Sequence, residues 1–381
     1  MRFDWLIVGA GFTGCVIAER IASQLNQRAL VIERRDHVGG NAYDYRDEHG
    51  ILVHRYGPHI FHTNDAAVWQ YLSQFTSWLP YEHRVLACVE GKNVPVPFNL
   101  NALHALFPMS LADQLEALLL QEYGPGVNIP ILKLKENRNP KIRKLSEYIY
   151  ENLFYGYTLK QWGLTPEQLG PSVTGRVPVR ISRDDRYFQD RYQGMPSEGY
   201  TAMFNRMLAH PNIEVRVARN CRQVQDEEKC RRVVYTGPID SYFDYIHGAL
   251  PYRSLRFEFE HRKVCEFQPV GTVNYPNGEA YTRITEFKRL TGQQADGTSI
   301  VIEYPQPFVA GANEPYYPIP QLQNAELYSK YQQEAEKMNG AVLFAGRLAD
   351  YKYYNMDQAI ARALMVFKKG VVSNGANVVF E

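Results

Sequence analysis

No uncharged apolar run in the 381 residues approaches the roughly 18 that a membrane-crossing helix needs. Cysteine is sparse and unpatterned. Cys15, Cys88, Cys221, Cys230 and Cys265 form no CxxC pair and no metal-ligand spacing, which argues against a disulfide framework and a zinc site and points to reduced thiols in the cytoplasm. Net charge is nearly absent as well. With 42 basic residues against 41 acidic ones, the formal charge of +1 speaks against nucleic acid or an anionic membrane held by bulk charge, and leaves room only for a local basic cluster. What the chain does have is length and tyrosine. At about 150 residues per domain it holds two or three domains. It carries 27 Tyr, as many as Gly and well above the 18 Phe, and a ring with a polar tip suits a lined cavity as well as a core.

Residues 5–18 are uncharged, as the apolar part of a signal peptide would be. Asp4 stands where basic residues belong, however, and three glycines interrupt the stretch, so a first strand and turn are expected. Leu6-Ile7-Val8 reads as a buried strand running into Gly9-Ala10-Gly11-Phe12-Thr13-Gly14. A helical spacing of apolar residues follows, then the strand Ala29-Leu30-Val31-Ile32, ending at Glu33. Strand, GxGxxG, helix, strand and acid form the dinucleotide fingerprint in its required context. Gly9 permits the tight turn, Gly11 lets backbone approach a pyrophosphate, and Gly14 lets helix and strand pack closely. The helix N-terminus at Phe12 meets the phosphate charge, and Glu33 accepts from a ribose hydroxyl. After Arg34 and Arg35, a second pair, Gly39-Gly40, precedes Asn41. Such a pair resembles flavoproteins of the glutathione reductase type and favours FAD over NAD, with a simple turn as the alternative. His59 and His62 stand at i and i+3 without a third ligand on a Gly-Pro-broken segment, so no metal is expected there. They form either a wall beside a flavin or an ordinary loop.

Residues 100–162 are helical by pattern. Leu111, Leu115, Leu118 and Leu119 make one core stripe, and Leu145, Tyr148, Ile149 and Leu153 another. The segment ends in an aromatic cluster, Phe154, Tyr155, Tyr157 and Trp162, which is either an anchor or a stacking platform. Arg176, Arg180, Arg183 and Arg186 follow on a loop-like stretch. Bidentate phosphate contact is expected of one of them, with Asp184 and Asp185 pairing others. Residues 213–217 and 233–236 read as further strands of the nucleotide-binding unit, and 255–304 as an antiparallel sheet. Residues 342–347 run from strand to glycine, and Asn355-Met356-Asp357 opens a helix whose N-terminus could meet the flavin. The expected fold is α/β: a discontinuous Rossmann-like FAD-binding domain (1–84, 194–245 and 338–381), an inserted helical domain (98–193) and an antiparallel β-sheet domain (85–97 and 246–337).

Six motifs together are far more specific than GxGxxG: Gly-Pro-His-Ile-Phe-His-Thr (57–63), Gly-Tyr-Thr-Leu-Lys-Gln-Trp (156–162), Gln-Gly-Met-Pro-Ser-Glu-Gly-Tyr-Thr (193–201), Tyr-Thr-Gly-Pro-Ile-Asp-Ser-Tyr-Phe-Asp-Tyr (235–245), Thr-Arg-Ile-Thr-Glu (282–286) and Gly-Arg-Leu (346–348). On these the chain resembles the bacterial UDP-galactopyranose mutases over nearly its whole length. The resemblance implies an isomerase that interconverts UDP-galactopyranose and UDP-galactofuranose for polysaccharide synthesis. Reduced FAD N5 would attack the anomeric carbon, with no net redox change. Arg176, from a mobile loop, and Arg283 would stabilise the leaving diphosphate, and His62 would sit by the flavin as a third catalytic residue. Phe154, Tyr157, Thr158 and Trp162 would line the uridine and sugar region, with Tyr187, Tyr317, Tyr353 and Asn355 near the diphosphate. Gly9, Gly11, Phe12, Gly14, Glu33, Arg34, Gly40, Asn41, His59, Val217, Arg347, Asn355 and Met356 would hold the cofactor. The implied partners are NAD(P)H or a reductase and a second copy in a homodimer. One departure matters: many members read Tyr-Leu-Asp-Met-Asp where this chain reads Tyr354-Asn355-Met356-Asp357. A neutral Asn355 leaves the sugar nucleotide open among galactose, its N-acetyl form and a 6-deoxy relative. The alternatives are a flavin oxidase or dehydrogenase, and a binding protein resembling GDP-dissociation inhibitors.

Overall fold

Short apolar runs of the kind that tolerate burial on both faces assemble into one five-stranded sheet. In the computed structural model, which describes residues 2–170, 175–228 and 230–372, its order is Ile213–Arg216, Ala29–Ile32, Trp5–Val8, Arg232–Tyr235 and Val342–Phe344. Every pairing is parallel, with Ile7 beside Val31 on one side and Val234 on the other. The helix Phe12–Leu25 packs its Cys15, Val16, Ile17 and Ile21 into the core, which Met203, Phe204, Ile360 and Ala363 complete from the helices Tyr200–Leu208 and Met356–Val366. The other face is closed by a smaller cluster of Phe3, Leu6, Leu30, Ile32 and Val224.

The Tyr200–Leu208 helix shows how distant segments are joined. Gly199 precedes it with φ +91°, and a Cβ there would stand 2.6 Å from Asp44 Oδ2. The space is taken because the buried Asp44 carboxylate accepts from the amides of Tyr200 (2.6 Å) and Thr201 (2.8 Å), two of the donors a helix start leaves unpaired. Thr201 Oγ1 returns a bond to the Asp44 carbonyl at 2.7 Å.

A second sheet has seven strands, in the order Tyr317–Pro318, Tyr252–Arg262, Thr298–Pro307, Arg283–Glu286, Thr272–Asn274, Val85–Val89 and Lys92–Val96. The alternating sequence leads one to expect a purely antiparallel sheet. One junction, between Val85–Val89 and Thr272–Asn274, is parallel, because the 85–96 hairpin joins that edge from a distant part of the chain and no tight turn dictates its direction. Between the hairpin and residue 162 lies a helical segment cored by Leu103, Leu115, Leu119, Ile131, Ile142, Leu145 and Ile149. Leu111 of the expected stripe is 39% exposed, since only the Leu115–Leu119 side of that helix meets the core. After Ile149 the helix widens into a π-type turn, Tyr150–Tyr155, before Gly156–Trp162, and such a widening re-aims the side chains that follow it.

Replacing Asp44 by Ala strands two helix-start amides in a buried setting, and should cost about 2–4 kcal/mol. Urea unfolding of D44A against the parent protein reads this as a lower midpoint at unchanged slope.

Candidate functional site

Two cavities are lined by the residues that the sequence singles out. The larger, about 460 Å³, opens at the C-terminal ends of the parallel strands, where open α/β sheets hold their ligands. Gly9 has φ +103°, and a Cβ on it would fall 2.1 Å from Thr236 Oγ1; one on Gly40 (φ +56°) would lie 3.0 Å from Gly11 Cα. The two glycine turns therefore touch, leaving a cradle that any side chain would fill and that suits a pyrophosphate. Gly11, Phe12, Glu33, Arg34, Gly40, Asn41, His59, Arg347 and Met356 all line this cavity with Gly9. Gly14 does not. Its absent side chain would strike the Gly9 carbonyl at 1.9 Å, so its part is close helix–strand packing. Glu33 is held at the strand end by the amides of Ala10 (2.9 Å) and Arg35 (3.0 Å). A cavity that runs from this acid past the glycine cradle to His59, Arg347 and the helix start at Met356 fits an extended flavin dinucleotide. Val217 falls outside the lining because the strand ends at Arg216 and the chain turns; Arg219, Asn220 and Cys221 line the cavity instead. Burial pushes the Cys221 thiol up to about 11. Tyr245, with φ +58°, and Glu314, which ion-pairs with both Arg34 (2.5 Å) and Arg35 (2.9 Å), are further lining residues that no local pattern signals.

The second cavity, about 160 Å³, is walled by the helical segment on one side and the seven-stranded sheet on the other. Phe154, Tyr157, Thr158, Trp162, Arg176, Tyr187, Arg283 and Tyr353 all line it. Of the four clustered arginines, only Arg176 reaches it. Arg180 is buried and donates to the carbonyls of Arg186 and Tyr187, Arg183 pairs with Glu116 at 2.7 Å, and Arg186 pairs with Asp184 at 2.8 Å. Asp185 accepts from Asn99 and Asn101.

Arg283 sits opposite Glu303 in the sheet register, its Nε 3.2 Å from Glu303 Oε1, with 26% of its side chain open to the cavity. Burial works against the Arg283 charge, but the Glu303 carboxylate outweighs it and holds the Arg283 pKa well above the usual arginine value. Glu303, an acid closing the apolar run Ile300-Val301-Ile302, is a functional residue that sequence reasoning missed. Burial raises its pKa and Arg283 opposes the rise. Tyr157, Tyr187 and Tyr317 are all shifted upward by burial, so their hydroxyls remain donors.

Tyr317 and Asn355 lie just behind the lining. The Tyr317 ring packs 5.0 Å from that of Tyr353 and 5.8 Å from that of Trp162, both in the second cavity, with the Arg347 guanidinium of the first cavity 5.9 Å away. Asn355 caps the Met356–Val366 helix, and its Oδ1 accepts from Arg176 Nη2 while the Arg176 guanidinium lies 3.9 Å over the Tyr353 ring. His62 lines neither cavity. Its Nδ1 pairs with Asp190 Oδ2 at 2.9 Å and its ring stacks on Phe188 at 3.6 Å.

Three other histidines are held neutral around these walls, His54 and His83 buried and His59 half-buried at the cofactor cavity. His59 places Nδ1 2.8 Å from the Gly57 carbonyl and donates its amide to His54 Nδ1 at 3.0 Å, while His83 packs edge-on against Tyr187. Burial pushes all three down to about 3. Each imidazole then binds a proton below pH 6.5 in the unfolded chain and not in the folded one, so the stability they contribute is present above pH 6.5 and is lost as pH falls towards 3. Together the three should lower the unfolding free energy by about 4 kcal/mol between pH 7 and pH 5.5. Urea titrations at the two values measure the change, and His54→Asn should remove about a third of it.

A family model described as UDP-galactopyranose mutase matches residues 152–353, and one described as NAD(P)-binding Rossmann-like domain matches residues 7–75. The chain is 38% identical to a probable UDP-galactopyranose mutase of Klebsiella pneumoniae, over 94% of this chain and 92% of that protein. It is 34% identical to a dTDP-fucopyranose mutase of Escherichia coli, over 94% and 96%. Among solved structures, that of a reduced UDP-galactopyranose mutase superposes with a TM-score of 0.76 at 16% identity, covering 98% of this chain and 95% of that one. The fingerprint in the larger cavity and the arginine-centred smaller one thus sit in a chain that belongs to the UDP-galactopyranose mutase family.

Proposed function

We propose that the protein is an FAD-dependent mutase that interconverts UDP-galactopyranose and UDP-galactofuranose. The observation that carries this reading is Arg283, a guanidinium kept charged by Glu303 in an aromatic cavity whose Tyr353 lies 6.0 Å from Arg347 of the cofactor cavity. Bound and reduced, FAD supplies a nucleophilic nitrogen for the anomeric carbon, with no net oxidation. The protein's own groups do the rest. As the bond from sugar to diphosphate breaks, negative charge gathers on the diphosphate, and Arg283 from the sheet and Arg176 from the opposite wall offer two forks of N–H donors to it. The phenols of Tyr157, Tyr187 and Tyr353 donate hydrogen bonds there without adding charge. Trp162 and Phe154 give flat apolar faces to the sugar and base and exclude water. Gly9, Gly11 and Gly40 cradle the cofactor pyrophosphate, Glu33 accepts from its ribose, and Arg347 and His59 stand at the flavin end. We place the enzyme in the cytoplasm as a homodimer, with NAD(P)H or a reductase to reduce the flavin, feeding polysaccharide synthesis.

A second reading keeps the chemistry and changes the sugar nucleotide. It is favoured by the neutral Asn355 against Arg176 and by the 34% identity to a dTDP-fucopyranose mutase. Chromatography of products from dithionite-reduced enzyme, given UDP-galactose, UDP-N-acetylgalactosamine and dTDP-fucose in turn, tells the two readings apart. A furanose product from UDP-galactose is expected, and only after reduction; equal activity in the oxidised enzyme rejects the mechanism. Arg283→Ala should lower kcat/KM by about 10²–10³-fold while the protein stays yellow.

A further inference from the structure

The Gly156–Trp162 segment, the last part of the helix that continues through the π-type turn, carries Tyr157, Thr158, Gln161 and Trp162 to the second cavity, so what this helix end packs against sets where they stand. Two cations fasten it to the sheet. Arg253 donates from Nε to the Gln161 carbonyl at 2.9 Å and from Nη2 to the Lys160 carbonyl at 3.0 Å, taking up acceptors that the helix end leaves unpaired. Lys160 reaches the other way. Its Nζ stands 2.5 Å from the carbonyl of Tyr275, 3.2 Å from that of Asn277, 3.0 Å from that of Glu279 and 3.1 Å from that of Tyr281. These four belong to the turn joining Thr272–Asn274 to Arg283–Glu286, the two strands that set Asn274 opposite Arg283 in the cavity wall. The fit is close: a Cβ on Gly156 would lie 2.4 Å from the Pro276 carbonyl, and Asn277 Nδ2 donates to the Asn152 carbonyl at 3.2 Å.

Four carbonyl dipoles turned inward repel one another unless a cation sits among them. A compact ammonium with freely rotating N–H groups fits such a ring, where a planar guanidinium does not. We propose that Lys160 is a positioning residue that sets the width of the substrate cavity, drawing the 275–281 turn against the helix so that Asn274 and Pro276 face Phe154 and Gln161 at the distance a nucleoside needs. Arg283 is held in register by Glu303 instead, so the reacting end of the cavity keeps its geometry without the clamp. The proposal rests on the reading of this cavity as a sugar-nucleotide site.

The test is Lys160→Met, which keeps the length and removes the cation. UDP binding by calorimetry should weaken at least tenfold and KM for UDP-galactose should rise in parallel, with kcat within threefold of the parent and bound FAD unchanged. Lys160→Gln, with two uncharged donors, should fall between the two and keeps the measurement available if the Met variant does not accumulate. Alkylation of Lys160→Cys with 2-bromoethylamine rebuilds the ammonium and should restore UDP affinity, whereas iodoacetamide, which adds no charge, should not; parent protein treated alike controls for the five native cysteines. Unchanged UDP affinity in both the Met and Gln variants, or equal rescue by the two alkylations, overturns the clamp alone. A parent protein that binds no UDP overturns the reading of the cavity and the clamp with it.

Discussion

A guanidinium walled in by tyrosine, tryptophan and apolar strand residues would ordinarily be an expensive thing to bury. Arg283 stays charged because the strand register puts Glu303 directly across from it, and the positive charge in the cavity wall depends on that pairing. The arrangement asks little of Glu303 beyond its position. With the carboxylate already engaged, the outward side of Arg283 is left to meet an anion, and Arg176 can approach from the far wall on a neutral partner, Asn355, that leaves its charge uncancelled.

The same economy appears in the tyrosines. Tyr157 and Tyr187 line the second cavity and Tyr317 stands behind it, all three held protonated by burial, and with Tyr353 they explain part of the excess that the composition shows. Others build plain core, as Tyr242 does against Tyr235 and Phe344. Tyr245, beside it in sequence, turns through a left-handed backbone to face the cofactor cavity. Two residues of one type, three positions apart, thus separate into packing and lining through a backbone angle.

Features with local causes were legible in the sequence. Gly9, Gly11 and Gly14 announce their turn, their close approach and their helix packing because each demand falls on the residue itself. Arg283 was legible through its motif and Arg176 through the family resemblance, while composition and spacing alone would not have separated Arg176 from Arg180, Arg183 and Arg186. Glu303, Glu314 and the Lys160 clamp were not legible, since each depends on a partner tens to hundreds of residues away. The slip from Val217 to Arg219, Asn220 and Cys221 has a smaller cause: a strand that ends one residue earlier than its apolar run suggests.

The order of the five-stranded sheet also bears on how the chain is made. Trp5–Val8 and Ala29–Ile32 leave the ribosome first, but the strand that covers the open side of Ala29–Ile32 begins at residue 213, the other neighbour of Trp5–Val8 begins at 232, and the last strand begins at 342. Until then the nascent βαβ unit presents two bare edges and an unroofed apolar face. Productive folding must therefore wait for contacts of very high sequence separation, while the helical insert, cored largely by its own neighbours, can condense early and act as the first ordered body on the chain.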